Sequence, residues 1–315
     1  MGNLQTPPSV QKLQTALHAK AKAEPAFRFY LLYDKMYRED VLTFAYRQCR
    51  ANQGAAGVEG VNFADIEATG VADWLGELAQ RLRHHTYRPA AVKRVWIPKP
   101  NGKQRPLGIP TITDRVVQTA AMLVLEPIFE ADLLPEQYAY RAGRGAKEAV
   151  TAVHRLLATG HQQVVDADLS GYFDSIPHAE LMKSVARRIV DRQVLHLIKQ
   201  WLEAPVEEDA GHGHRKRSTH NRDTGRGTPQ GAPISPLLSN LYMRRFLLGW
   251  QQKGYHHRWS AHIINYADDF VICCRGQAEE ALTAMRAMMA TLKLAVNEEK
   301  THVCRLPQER FDFLG

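Results

Sequence analysis

Cysteine is scarce and unpatterned, with Cys49, Cys273, Cys274 and Cys304 the only four in 315 residues. They form no C-x-x-C pair and have no neighbouring histidines at the spacings zinc needs, so neither a metal knuckle nor a disulfide framework is indicated. They read as small core residues. Long apolar runs are also missing. Nothing approaches the roughly 20 apolar residues of a membrane span, and residues 1–9 lack the apolar stretch of a secretion signal, so a cytoplasmic protein without a membrane partner is expected. No internal repeat is visible. Residues 212–226 carry almost no apolar side chain, which predicts a mobile loop.

What is present is a globular composition. At 44% hydrophobic, the chain can bury one large core or two moderate ones. Lys and Arg number 41 against 33 Asp and Glu, a net charge of +8. A basic balance suits a polyanionic partner but says nothing of fold.

Periodicity predicts two helices within residues 10–49, broken near Pro25, then a glycine-rich loop at 52–62 and a helix over 65–84. A strand at 92–97, a Pro-Asn-Gly turn at 100–102 and a short apolar run at 107–109 read as a hairpin. Helices are expected at 114–126 and 146–158, a strand at 163–169, and a long amphipathic helical region at 179–203. The last hundred residues read as a helix at 235–250, a hairpin of 263–266 with 270–274, a helix at 278–292 and a strand-like end at 311–314. Irregular alternation with antiparallel hairpins points to an α+β fold.

Asp268 and Asp269 stand in YADDF at the tip of the last hairpin. Adjacent acids in a turn are usually a solvated cap. Here the flanks are core strands, which puts the acids at the rim of a sheet, and a second acidic strand end lies one hundred residues earlier. In VVDADLSGYFDS a strand delivers Asp168 to its end, just before the turn at Gly171. Two-metal phosphoryl transfer needs carboxylates from separate strands, because cations roughly 3.5–4 Å apart demand more negative charge than one loop supplies. Mg²⁺ takes one or two protein carboxylates and fills its shell with water and phosphate oxygens, so Asp168, Asp268 and Asp269 suffice for two ions. Asp166 competes for the role, two residues away on the same strand face. Asp174 reads as a helix N-terminal acid.

With these residues in hand, the chain resembles group II intron-encoded reverse transcriptases, from about residue 13 to its last. Asp168 with Phe173 five residues on looks like the family's first catalytic motif, and YADD at 266–269 like its second. GTPQGAPISPLLSNLY at 227–242 is similar to the turn and helix that contact nucleotide and template, and IPKPNGKQRPLGIPTITDRVVQ at 97–118 to the fingers hairpin. The resemblance implies a right-hand polymerase of fingers and palm, with the antiparallel palm sheet packed on helices. Residues 1–160 would be a helical extension and fingers. Residues 161–315 would be palm, with fingers helices inserted at about 179–226. FDFLG at 311–315 resembles the start of the primer-grip motif, so thumb and maturase domain are expected to be absent and the grip on duplex weak.

Each motif also has a reading of its own. Lys99 and Arg105 flank a turn from which two cations can meet a triphosphate, or can be solvated hairpin charges. Gly231 permits close backbone approach, and Gln230 can contact nucleotide or template. Phe173 can pack beneath the sugar and exclude a 2′-hydroxyl, or be a core aromatic. Lys300, in LAVNEEKTHV, matches a lysine that the family places near the leaving pyrophosphate. Arg141 and Arg144, in YRAGRG, resemble nucleic-acid contacts. Arg215, Lys216 and Arg217 are candidate phosphate contacts or a solvated loop. The sequence departs from the family at Glu59, usually Asp, and at Asn265, usually Arg.

The expected function is RNA-directed DNA polymerisation with two Mg²⁺ ions, on an RNA template such as a group II intron, with a DNA primer and dNTPs. The rival readings are a non-catalytic RNA-binding maturase remnant and an RNA-dependent RNA polymerase.

Overall fold

The computed structural model describes residues 4–98, 102, 104–209 and 214–314. Two compact units emerge, one of residues 1–132 and 178–235, the other of 133–177 and 236–315. The sequence places its boundaries at about 160, 179 and 226.

In the first unit the helix Ile112–Glu130 is the axis, with 13 of its 19 residues buried. A helix apolar around most of its circumference can only sit inside other elements. Thr111 caps it by accepting from the Asp114 N–H at 3.1 Å. The helices Pro8–Ala23 and Glu39–Ala51 pack along it. Arg188, fully buried, ties the N-terminal helix down by donating to the carbonyls of Ala21, Glu24, Pro25 and Phe27. The helix expected over 65–84 is split into Phe63–Thr69 and Val71–Arg83 at Gly70, whose φ of 103° no side-chain-bearing residue readily adopts. The region expected to be one helix over 179–203 is two, His178–Ala186 and Arg192–Leu202, the second capped by Asp191.

The same unit holds a four-stranded sheet. Strands β1 (Val92–Pro98) and β2 (Gln104–Ile109) form the expected hairpin. Strands β4 (Val206–Asp209) and β5 (Arg215–Ser218) add a second hairpin, with β4 parallel to β1, in the order β2-β1-β4-β5. The mobile loop expected at 212–226 is thus overturned over most of its length, since β5 is followed by the helix His220–Thr224. Apolar content gave no hint because this hairpin is built mostly of charged residues. Glu207 stands opposite Arg217, Glu208 opposite Lys216, and Asp209 opposite Arg215. Opposed charges across an antiparallel pair are worth a few tenths to about 1 kcal/mol each.

The second unit is an antiparallel sheet of β6 (Ala261–Tyr266), β7 (Asp269–Cys274), β3 (Gln163–Ala167) and β8 (His302–Arg305), in the order β6-β7-β3-β8. Val164, Ile264, Val271 and Cys273 of this sheet cluster with Ala149 and Val153 of the helix Ala146–Ala158. The helix Ala278–Thr291 packs on β3, β7 and β8. The strand-like end at 311–314 is not a strand. Phe311, Phe313 and Leu314 instead pack against the apolar cluster, and the fourth strand is β8, whose four residues carry too short a pattern to be read. All four cysteines are buried and free. The α+β class expected from the sequence is the class observed. Among the described residues, no helix is long and apolar enough to cross a membrane.

Candidate active site

The hairpin β6–β7 closes on the pair Tyr266 and Asp269, leaving Ala267 and Asp268 as a two-residue loop. Ala267 has φ +58°, in the left-handed region. Tight hairpins need a positive φ, usually supplied by Gly or Asn, so an alanine there is strained. Asn265 supports the turn from inside. Fully buried, it donates through Nδ2 to the Ala267 carbonyl at 2.8 Å, and its backbone pairs outward with Glu136 and Tyr138. The aspartates therefore ride on a turn braced from the core.

Strand β3 runs antiparallel to β7, with Ala167 opposite Phe270. The next step of that register sets Asp168 across from Asp269, at the end of the strand. Asp166, the competing acid, lies inside the ladder, opposite Val271 on one side and His302 on the other. Burial raises its carboxyl above the ordinary range. Position thus favours Asp168, which is half-buried and lies past the last pair with β7, beside the YADD turn.

Around Asp168 the chain makes a clasp. Its N–H donates to Thr301 Oγ1 at 3.2 Å and its carbonyl accepts from the Asn297 N–H at 2.9 Å. Its Oδ2 accepts from Asn297 Nδ2 at 2.8 Å and lies 3.2 Å from Lys300 Nζ. Across the hairpin tip, Asp269 is exposed as a residue, yet its carboxyl is pushed up to about 6. Partial desolvation is the first cause; the carboxylates of Asp268 and Asp168 add to it and Lys300 opposes it. Three acids are electrostatically coupled at one sheet edge.

Among the described residues, no three His, Cys, Asp or Glu side chains converge into a ready-made metal site. The donor chemistry nonetheless fits a hard divalent cation, which takes oxygen ligands. The positive charge beside Asp168 is now the ammonium of Lys300. The weakened acidity of Asp269 comes first from partial desolvation and then from neighbouring carboxylates whose charge Lys300 only partly offsets.

The nucleotide-contact candidates divide between the units. In the first, Arg105 Nε donates to Gln230 Oε1 at 3.0 Å, joining residues 125 apart in sequence. The Gly108 N–H donates to the Gln230 carbonyl at 2.6 Å. Gly231 has φ +102°, and a Cβ there would meet the Gly108 carbonyl oxygen at 2.5 Å, so the backbones approach as only glycine allows. Lys99 lies outside the described residues. In the second unit Phe173 is 6% exposed, edge-on to Tyr172, in the helix Tyr172–Ser175.

Of the basic candidates, Arg141, Arg144 and Arg215 are engaged by backbone carbonyls. Arg141 donates to the carbonyls of Leu134 and Gln137, and Arg144 to that of Pro135 while covering the Tyr138 ring. Arg215 donates to the Val58 carbonyl, 3.1 Å away, and it stands with Lys216 and Arg217 opposite the three acids of β4.

Residues 97–315 match the reverse transcriptase (RNA-dependent DNA polymerase) family. The chain belongs to the reverse transcriptase family. Protein YkfC of Escherichia coli (strain K12) is 32% identical over 343 residues, spanning 97% of this chain and 87% of its own length. The group II intron-encoded protein LtrA of Lactococcus lactis is 33% identical over 230 residues, 71% of this chain and 36% of LtrA, so the chain spans about a third of that relative. Telomerase from Candida albicans, solved with a fragment of telomeric RNA, superposes with a TM-score of 0.51 over 77% of this chain and 47% of its own, at 14% identity, a likeness of fold alone. The resemblance to group II intron-encoded reverse transcriptases and the expected fingers-and-palm fold both hold.

Two departures from the family's usual sequence acquire a local reason in this chain. Glu59 accepts from the Ile112 N–H at 2.9 Å, closing the N-terminus of the axial helix. Asn265 holds the aspartate turn. Asn297 was missed by the sequence reading, because a polar turn residue gives no local signal of what it will touch.

Proposed function

We propose that the chain is an RNA-directed DNA polymerase of the group II intron type, with Asp168, Asp268 and Asp269 holding two Mg²⁺ ions. The observation that carries the proposal is the β3–β7 register, which brings the end of one acidic strand beside the YADD turn. Bound there, Mg²⁺ supplies Lewis acidity toward the primer 3′-hydroxyl and the leaving pyrophosphate. The three carboxylates bind and orient it. Arg105, held by Gln230, offers its guanidinium to the triphosphate of a dNTP, with Lys99 as second cation. Gln230 and Gly231 form the nucleotide-facing turn. The Phe173 ring walls the sugar site and excludes a 2′-hydroxyl, which favours dNTPs over rNTPs. Lys300 holds a proton it can give to the leaving pyrophosphate. RNA template and DNA primer are the partners.

The rival, RNA binding without catalysis, would rest on free basic surface. The engagement of Arg141, Arg144 and Arg215 by backbone carbonyls weighs against it. Primer extension on an RNA template with Mg²⁺ tests the choice. Incorporation of dNTPs by the parent and a loss beyond about 100-fold in Asp268→Asn, with RNA binding kept, is the expected result. Equal incorporation by the variant would overturn the assignment. Salt-sensitive RNA binding by an inactive parent would favour the rival, and equal use of rNTPs would favour an RNA polymerase.

A further inference from the structure

The segment after residue 294 returns along β3, but not in one register. Asp166 pairs with His302 and Leu169 bridges to Val296, so three steps on one strand answer to six on the other. The surplus loops out as a turn over residues 297–301, and that turn closes on Asp168. Its geometry is set by Asn297, whose carbonyl accepts from the N–H groups of Lys300 and Thr301 at 3.2 and 3.0 Å. The same residue reaches Asp168 twice, through its backbone N–H and through Nδ2 to Oδ2 at 2.8 Å. A carboxylate only accepts, so the amide must present its nitrogen there.

From this we infer that Asn297 is a positioning residue: it fixes the rotation of the Asp168 carboxylate for divalent cations. The inference rests on the polymerase reading above. The two groups on Oδ2 differ in kind. Lys300 neutralises the charge that a cation needs, whereas the neutral amide orients the carboxylate and leaves that charge in place. Ligating carboxylates are themselves commonly hydrogen-bonded, and loss of such a partner typically lowers metal affinity by roughly 10- to 100-fold. Asn297 is half-buried, and its backbone bonds to Asp168, Lys300 and Thr301 do not need its side chain, so the turn can survive truncation.

The experiment is titration of the purified chain with Mn²⁺, followed by electron paramagnetic resonance without primer or dNTP, for the parent, Asp168→Asn and Asn297→Ala. Thermal midpoints are measured in EDTA alongside. Expected are weaker Mn²⁺ binding in Asp168→Asn and, in Asn297→Ala, an affinity loss of about 10-fold with the midpoint within about 3 °C of the parent. Asp168→Asn weakened but Asn297→Ala unchanged would overturn the positioning role and leave the polymerase reading standing. Parent-like binding by Asp168→Asn would overturn the metal assignment and this inference with it. Should Asn297→Ala lower the midpoint further, Asn297→Leu, of similar shape without a donor, decides: weakened binding at a parent-like midpoint supports the role, and any other result overturns it.

Discussion

Lys300 Nζ lies 3.2 Å from Oδ2 of Asp168, the oxygen that also accepts from Asn297. A divalent cation using that oxygen must displace the ammonium, so Lys300 competes with metal even if it later serves the leaving group. Lys300→Ala is expected to bind Mn²⁺ more tightly, by up to about fivefold, because an exposed ion pair is worth at most about 1 kcal/mol. Incorporation should slow at the same time. Weaker Mn²⁺ binding in this variant would mean that Lys300 helps to assemble the acids rather than guarding them.

Asp269 links this cluster to stability. Its carboxyl, ordinarily near 3.8, is pushed up to about 6 by desolvation and then by Asp268 and Asp168. Between those pH values the folded chain holds a proton that the unfolded chain has lost, so stability falls as pH rises through that window. Asp269→Asn removes the dependence. In EDTA its thermal midpoint should exceed the parent's at pH 7.5 and approach it at pH 4.5, while incorporation is lost. Mg²⁺ should raise the parent's midpoint at pH 7.5 and leave the variant's nearly unmoved. A parent with no such fall in midpoint between pH 4.5 and 7.5 would show that the acids do not strain one another.

Those acids were legible because their signals are local. Alternation on both sides of YADDF reads as a hairpin, and an apolar run ending at Asp168 before Gly171 reads as a strand end; both survive in β6, β7 and β3. The β4–β5 hairpin was illegible because charge pairing, unlike apolar alternation, is visible only once the partner strand is known. For Arg141 and Arg144 the reverse held, since exposed-looking bases in a glycine-rich loop gave no sign that backbone carbonyls would take them. Asn297 needed the register shift between β3 and the returning chain, which no window of sequence contains.

Arg188 should be the first unit's most sensitive polar position. Its guanidinium is fully buried, donates to four backbone carbonyls and lies 3.2 Å from Asp132. Arg188→Met removes that donor from the four carbonyls while Asp132 keeps its bond from Arg187 at 2.6 Å, a loss of roughly 1–3 kcal/mol. Arg188→Lys should not restore it, because one ammonium cannot span the fork of acceptors. Chemical denaturation measures this, and a loss below about 1 kcal/mol would mean that the N-terminal helix is held by its apolar face alone.

Gly231→Ala should separate nucleotide binding from metal binding. Its φ of +102° is strained for any side-chain-bearing residue, and the new Cβ would stand 2.5 Å from the Gly108 carbonyl and 2.8 Å from Leu107 Cδ1. The backbone strain costs roughly 1–3 kcal/mol, and relief requires the turn to move away from β2. That movement breaks the bond from Gly108 to Gln230 and withdraws Gln230 from Arg105. A KM for dNTP raised about tenfold is expected, since about 1.4 kcal/mol of lost binding is tenfold. Mn²⁺ binding to Asp168, Asp268 and Asp269 should stay at the parent value, because those acids belong to the other unit. An unchanged KM in a folded variant would remove Gln230 and Arg105 from the nucleotide site, whereas a parallel loss of Mn²⁺ affinity would show that the turn supports the acids too.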